Sequence, residues 1–135
     1  MRNVCLILLV GLFVSVTGRP AAAVLQFYNV WKTEYLTNHP DKEFATLVGK
    51  PANRCFVCHV GKKRTHRNAY GAQMEEALDW KKDTKDKEKI LAAIKAAGEQ
   101  HVDPADESSE TFAQRIEASK FPAGELEDLK KEPAE

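Results

Sequence analysis

The sequence predicts an all-α domain, and three observations carry that prediction. Apolar side chains recur at three- and four-residue spacing along most of the chain. No alternating apolar pattern of strand length interrupts them. After an apparent export signal, 112 of the 135 residues remain, which is enough for one small domain and not two.

Residues 1–23 read as that signal. Met1-Arg2-Asn3 is a short basic start, residues 4–16 are an apolar run, and Ala21-Ala22-Ala23 offers a small-residue cleavage site. The run is shorter than the roughly 20 residues that span a bilayer, so cleavage is favoured over a retained anchor and no membrane span is expected afterwards. Cys5 lies inside the signal and says nothing about the mature fold. Export in a bacterium places the mature chain in the periplasm or outside the cell.

In the mature part, Val24, Tyr28, Trp31 and Tyr35 form an aromatic stripe on an opening helix that residues 38–40 end. A second helix over residues 41–48 is closed by Gly49-Lys50-Pro51. Gly61 and the basic residues after it make a loop. Asn68 caps a helix with Tyr70, Met74, Ala77 and Leu78 on one face, running out after Trp80. Thr84 is the expected cap of the next, with Ile90, Leu91, Ile94 and Ala97 inward and Gly98 as its stop. Residues 101–107 form a polar Asp-Pro loop. Ser108 or Ser109 then starts a helix that buries Phe112, Ala113 and Ile116. The organisation is an export signal over 1–23, a helical domain over 24–121, and an acidic helix or tail over 122–135. No Gly-rich phosphate loop and no internal repeat is present in the sequence.

The chemistry concentrates in Cys55-Phe56-Val57-Cys58-His59. C-x-x-C-H is the spacing that covalent attachment of a c-type haem requires. Residues i and i+3 share a helical face, so two thiols can meet the two haem vinyl groups while the next residue turns its imidazole to the iron. Cys55 and Cys58 are then the thioether anchors of one haem c, and His59 is its proximal metal ligand. Two rival readings exist. A redox dithiol wants a preceding strand and an α/β pattern, which the sequence lacks. Zinc wants about four ligands, and no further cysteine follows. With so few residues, the porphyrin would also serve as an apolar body for the helices to pack around.

Charge is divided unevenly. The mature chain has 18 basic and 20 acidic residues, net −2, which argues against nucleic acid as a partner. Residues 24–98 hold 14 basic and 9 acidic residues, net +5, whereas residues 99–135 hold 4 and 11, net −7. The densest basic cluster, Lys62-Lys63-Arg64 with His66 and Arg67, begins three residues after His59. Such a patch at a haem edge suits docking of an acidic redox partner or pairing with the haem propionates; the plainer alternatives are a solvated loop or shielding by the acidic tail.

The sixth iron ligand separates the functional classes. Met74, 15 residues beyond His59, is the methionine of the mature chain and the first candidate, against a role as core filler. His66 and His101 are the other candidates, His39 reads as a helix-end residue, and an open or water-ligated iron completes the set.

The export signal, the haem motif and the surrounding helices together resemble a small mono-haem cytochrome c domain. More narrowly, Cys55 to Gly71, with Val60-Gly61-Lys62-Lys63 and Arg67-Asn68-Ala69-Tyr70-Gly71, is similar to a group of secreted bacterial single-haem proteins. The resemblance implies an all-helical fold wrapped around one haem, an opening helix crossing a later one, haem held through Cys55, Cys58 and His59, and electron transfer. The chain departs from the usual class I pattern in having no proline between Pro51 and Pro104 and no Pro-rich loop around Met74. A cytochrome c-prime arrangement fits worse, because 76 residues follow His59.

The expected function is therefore a periplasmic electron carrier rather than an enzyme, with Lys62, Lys63, Arg64 and Arg67 at the docking edge. The alternative is an open-site haem protein that binds or senses a small ligand such as CO or NO. A peroxidase-like enzyme would need a distal acid-base residue, for which His66 is the nearby candidate.

Overall fold

The computed structural model describes residues 21–133, of which residues 21–24 are described by backbone alone. The export signal thus falls outside the described residues apart from the helical backbone of its last three, as does the side chain of Val24. Helix α1 (Ala21–Tyr35) carries the aromatic stripe: Tyr28 stacks on Trp31 at 6.2 Å and Trp31 meets Tyr35 at 5.5 Å between ring centroids. Trp31 is 1% exposed, so this face is core.

The chain reverses at Leu36 into α2 (Lys42–Gly49), where the Asp41 carboxylate accepts hydrogen bonds from the Glu43 and Phe44 amides. His39 sits in this reversal. Its Nδ1 accepts from the Asp41 amide at 3.2 Å, which leaves Nε2–H to donate to the Ile116 carbonyl at 2.9 Å. The ring is buried and ties the end of α1 to the last third of the chain.

A 3₁₀ turn over Arg54–Val57 leads into a small antiparallel ladder, β1 (His59–Val60) with β2 (His66–Arg67), pairing His59 with Arg67 and Val60 with His66. With two residues per strand, no period-2 pattern could show in the sequence. Helix α3 (Ala69–Ala77) follows, capped by Asn68, and ends before Leu78, which is extended. After a 3₁₀ turn over Asp83–Lys85 comes α4 (Lys87–Gly98), packed against both α1 and α3.

Two expected caps lie elsewhere. Thr84 is inside the 3₁₀ turn, and Asp86 caps α4 by accepting from the Lys89 amide at 2.9 Å. Helix α5 (Phe112–Glu117) starts at Thr111 rather than Ser108 or Ser109, because Thr111 and Gln114 form a reciprocal capping box. Ser109 instead closes the preceding loop, donating its hydroxyl to the Asp106 carbonyl at 2.7 Å. Helix α4 ends at Gly98, the expected stop. Its φ is not left-handed, and a Cβ there would press on the Tyr35 hydroxyl where α1 crosses α4.

Through residue 133 the acidic end is packed onto the domain. After Phe121 and Pro122, both buried, a one-turn helix α6 (Leu126–Leu129) puts Leu129 into the core at 5% exposure. One core runs through Trp31, Phe44, Val57, Tyr70, Ile94 and Phe112. Among the described residues, no helix is long and apolar enough to cross a membrane.

Candidate functional site

The Cys-x-x-Cys-His segment is built on one tight turn. The Cys58 amide donates to the Cys55 carbonyl at 3.3 Å, so the two cysteines open and close one turn, with Cys58 just past the 3₁₀ residues Arg54–Val57. Both are free thiols and half-buried.

Asn68 holds this turn from the other side. Its Oδ1 accepts from the Gly71 amide at 2.9 Å as the cap of α3, while Nδ2 donates to the carbonyls of Phe56 at 3.0 Å and Val57 at 3.2 Å. A buried side chain thereby ties the cysteine turn to the start of α3. Gly71 completes the junction, since a Cβ there would run into the carbonyl of Cys58. Local spacing marks Asn68 only as a helix cap, because a carbonyl partner 11 or 12 residues away leaves no local signal.

The Cys58 sulfur turns inward, 4.0 Å from the Met74 Sδ. Burial pushes the Cys58 thiol up to about 12, outweighing the opposing charge of Arg67. Met74 is buried with Tyr70 on the inner side of α3, and Leu78, just past the end of that helix, is buried as well.

His59 is oriented by the hairpin. Its Nδ1–H donates to the His66 carbonyl at 3.2 Å, and its Nε2 accepts from Arg67 Nη1 at 2.7 Å. This network assigns the neutral Nδ1–H tautomer, in which Nε2 holds the lone pair. Burial, and then the Arg67 charge, hold the His59 pKa below the ordinary histidine value. Arg67 is shared with α3, its Nε lying 3.5 Å from the Glu75 carboxylate.

Of the other ligand candidates, Met74 alone touches the motif through its side chain. His66 contributes its carbonyl, and its ring is on the exposed strand. His101 is paired with Thr111 in an isolated bridge and bonded through Nδ1 to the Ser109 carbonyl at 2.6 Å. His39 is committed to Ile116. Among the described residues, no three His, Cys, Asp or Glu side chains come together as a metal-binding group.

Lys62, Lys63 and Arg64 occupy the turn between β1 and β2, exposed and outside every ion pair among the described residues. Gly61 and Arg64 take left-handed φ values of 79° and 57° to close this turn, and the Arg64 guanidinium lies 5.7 Å from the Phe56 ring centroid.

These residues fit a covalently held haem in donor chemistry. Two thiols share a turn, and a tautomer-fixed histidine follows. The Tyr28 hydroxyl and Trp31 Nε1–H are buried without a hydrogen-bond partner, and Arg54, adjoining Cys55, lies 6.0 Å over the Tyr28 ring. The Tyr28 hydroxyl, a buried group without a partner and with a guanidinium over its ring, suits a group that brings carboxylate oxygens of its own. Iron ligation would also require Arg67 to leave Nε2, because one lone pair cannot serve both. No family model, no curated protein and no solved structure matches this chain.

Proposed function

We propose that this chain is an exported mono-haem c-type cytochrome that carries single electrons. The observation that carries the reading is the geometry of residues 55–59: the Cys58 amide closes a turn on the Cys55 carbonyl, and the residue after it is a histidine whose Nδ1–H is held by a backbone carbonyl. The haem iron supplies the one-electron couple, and no bond in a substrate is made or broken. Cys55 and Cys58 would anchor the haem and His59 would ligate its iron through Nε2 once Arg67 leaves that lone pair, while the His66 carbonyl on Nδ1–H orients the ring. Lys62, Lys63, Arg64 and Arg67 form a basic edge suited to an acidic redox partner, where complementary charge raises the encounter rate.

Met74 as sixth ligand belongs to this proposal, and one observation favours the alternative of an open site for CO or NO. The Met74 sulfur is already engaged with Cys58 inside the core. Visible and near-infrared spectra of the haem-loaded protein, oxidised and reduced, with and without carbon monoxide, test the assignment. A low-spin spectrum with a methionine-to-iron band and no carbon monoxide uptake supports the carrier; a high-spin reduced form that binds carbon monoxide supports the open site. Absence of covalent haem from protein matured with haem-attachment machinery sinks both.

A further inference from the structure

The acidic end of the chain reaches back to the hairpin that carries His59. The Leu129 carbonyl accepts from the Gly61 amide at 2.8 Å, and the Glu132 Oε1 accepts from the Lys63 amide at 3.1 Å. The Glu132 carboxylate also lies where a Gly61 side chain would be. These contacts join residues nearly 70 apart in sequence.

The charges show what kind of contact this is. Glu127 and Asp128 are paired with Lys130 and Lys131 of their own turn, at 2.6 Å each. Glu132 is spent on a backbone amide, and Lys62, Lys63 and Arg64 stay exposed. Among the described residues, no acidic side chain of the tail forms an ion pair with the basic cluster. The tail grips the backbone of the turn that displays the cluster.

We propose that residues 126–132 are a strap that positions the β1–β2 turn, and through it the His59 ring and the basic docking edge. Leu129 anchors the strap in the core, its carbonyl and the Glu132 carboxylate hold Gly61 and Lys63, and Gly61 is two residues from His59. The hairpin pairing then transmits that hold to the His66 carbonyl on Nδ1. Glu132 is a positioning residue that acts through the Lys63 amide. The consequence for iron rests on the haem reading; the strap contacts do not.

Amide hydrogen exchange and histidine-ring nitrogen NMR on the full-length mature protein, as purified, test this in Glu132→Ala and Glu132→Gln. Glu132 is exposed, so both variants should keep the parent melting temperature. Glu132→Ala is expected to speed exchange of the Lys63 and Gly61 amides about tenfold or more and to move the His59 ring signals. Glu132→Gln keeps an acceptor oxygen and is expected to restore both. Unchanged exchange in Glu132→Ala, or Glu132→Gln behaving like Glu132→Ala, overturns the hydrogen-bonded strap. Unmoved His59 signals despite faster exchange overturn the positioning role. These readouts hold whether or not haem is attached, so a failed haem reading is seen separately in the absorption spectrum.

Discussion

Arg67 Nη1 lies 2.7 Å from Nε2 of His59, across one rung of the hairpin, so a permanent cation faces the lone pair that a metal would use. A cation there opposes protonation of the imidazole while holding the tautomer that presents Nε2 outward from the His66 carbonyl. Glu75, 3.5 Å from Arg67 Nε, gives the guanidinium a second partner on α3.

Before haem attachment, His59 should make stability depend on pH. Its folded pKa is depressed below the ordinary value of about 6.5, so the unfolded chain takes up the proton first. The contribution is fully present above about pH 6.5 and is lost as pH falls below it. Urea unfolding between pH 7.5 and 5 should show this slope, and His59→Gln should flatten it; an equal slope in both proteins would refute the assignment.

The two cysteines should differ in reactivity in that same haem-free chain. With its thiol pushed up to about 12 and covered by Met74, Cys58 should carry about 10³-fold less thiolate at pH 8 than a thiol of pKa about 8.5. Alkylation followed by mass spectrometry should modify Cys58 slowly in the folded protein and rapidly in denaturant. Fast modification of Cys58 without denaturant would contradict its burial.

Asn68 and Gly71 should be intolerant positions. Asn68→Ala removes the α3 cap and leaves the Phe56 and Val57 carbonyls without their donor, a loss of about 2–4 kcal/mol. Asn68→Asp keeps the cap oxygen but not the donor and should also destabilise. Gly71→Ala forces α3 off the Cys58 carbonyl at about 1–3 kcal/mol. Chemical denaturation gives each value, and a variant within about 0.5 kcal/mol of the parent would remove that contact from the account.

Met74→Leu preserves volume at a core position and should cost less than about 1.5 kcal/mol in stability. If Met74 ligates iron, the same change removes the sulfur-to-iron band of the haem-loaded protein and lowers its potential. A spectrum indifferent to the substitution would return Met74 to the core alone.

Reversing charge at Lys62, Lys63 and Arg64 should act on association and leave the fold intact, because these side chains are exposed and form no ion pair among the described residues. With an acidic redox partner, the triple Glu variant should associate at least tenfold more slowly at low salt, the difference shrinking as ionic strength rises. Equal rates at all salt concentrations would remove this edge from the docking surface.

Several of the mature chain's elements are legible in the sequence because their causes are local. The α1 stripe through Trp31, the Asn68 cap and the apolar face of α4 each follow from spacing within a turn or two. Caps are less legible where neighbouring polar residues compete. Thr84 lost to Asp86 and Ser109 to Thr111, because the earlier residues were already engaged in turns of their own.

By itself, the sequence determined the Cys55, Cys58 and His59 spacing, the helical periodicity and the division into a basic body and an acidic end. The tertiary structure alone decided what surrounds those residues. Arg67 on the His59 lone pair, Met74 on the Cys58 sulfur, Asn68 beneath the cysteine turn and Glu132 on the Lys63 amide are contacts between residues 8 to 69 positions apart. Neither helix period nor turn chemistry links positions that distant; they meet because one hydrophobic core folds α3 and the chain end back onto the hairpin.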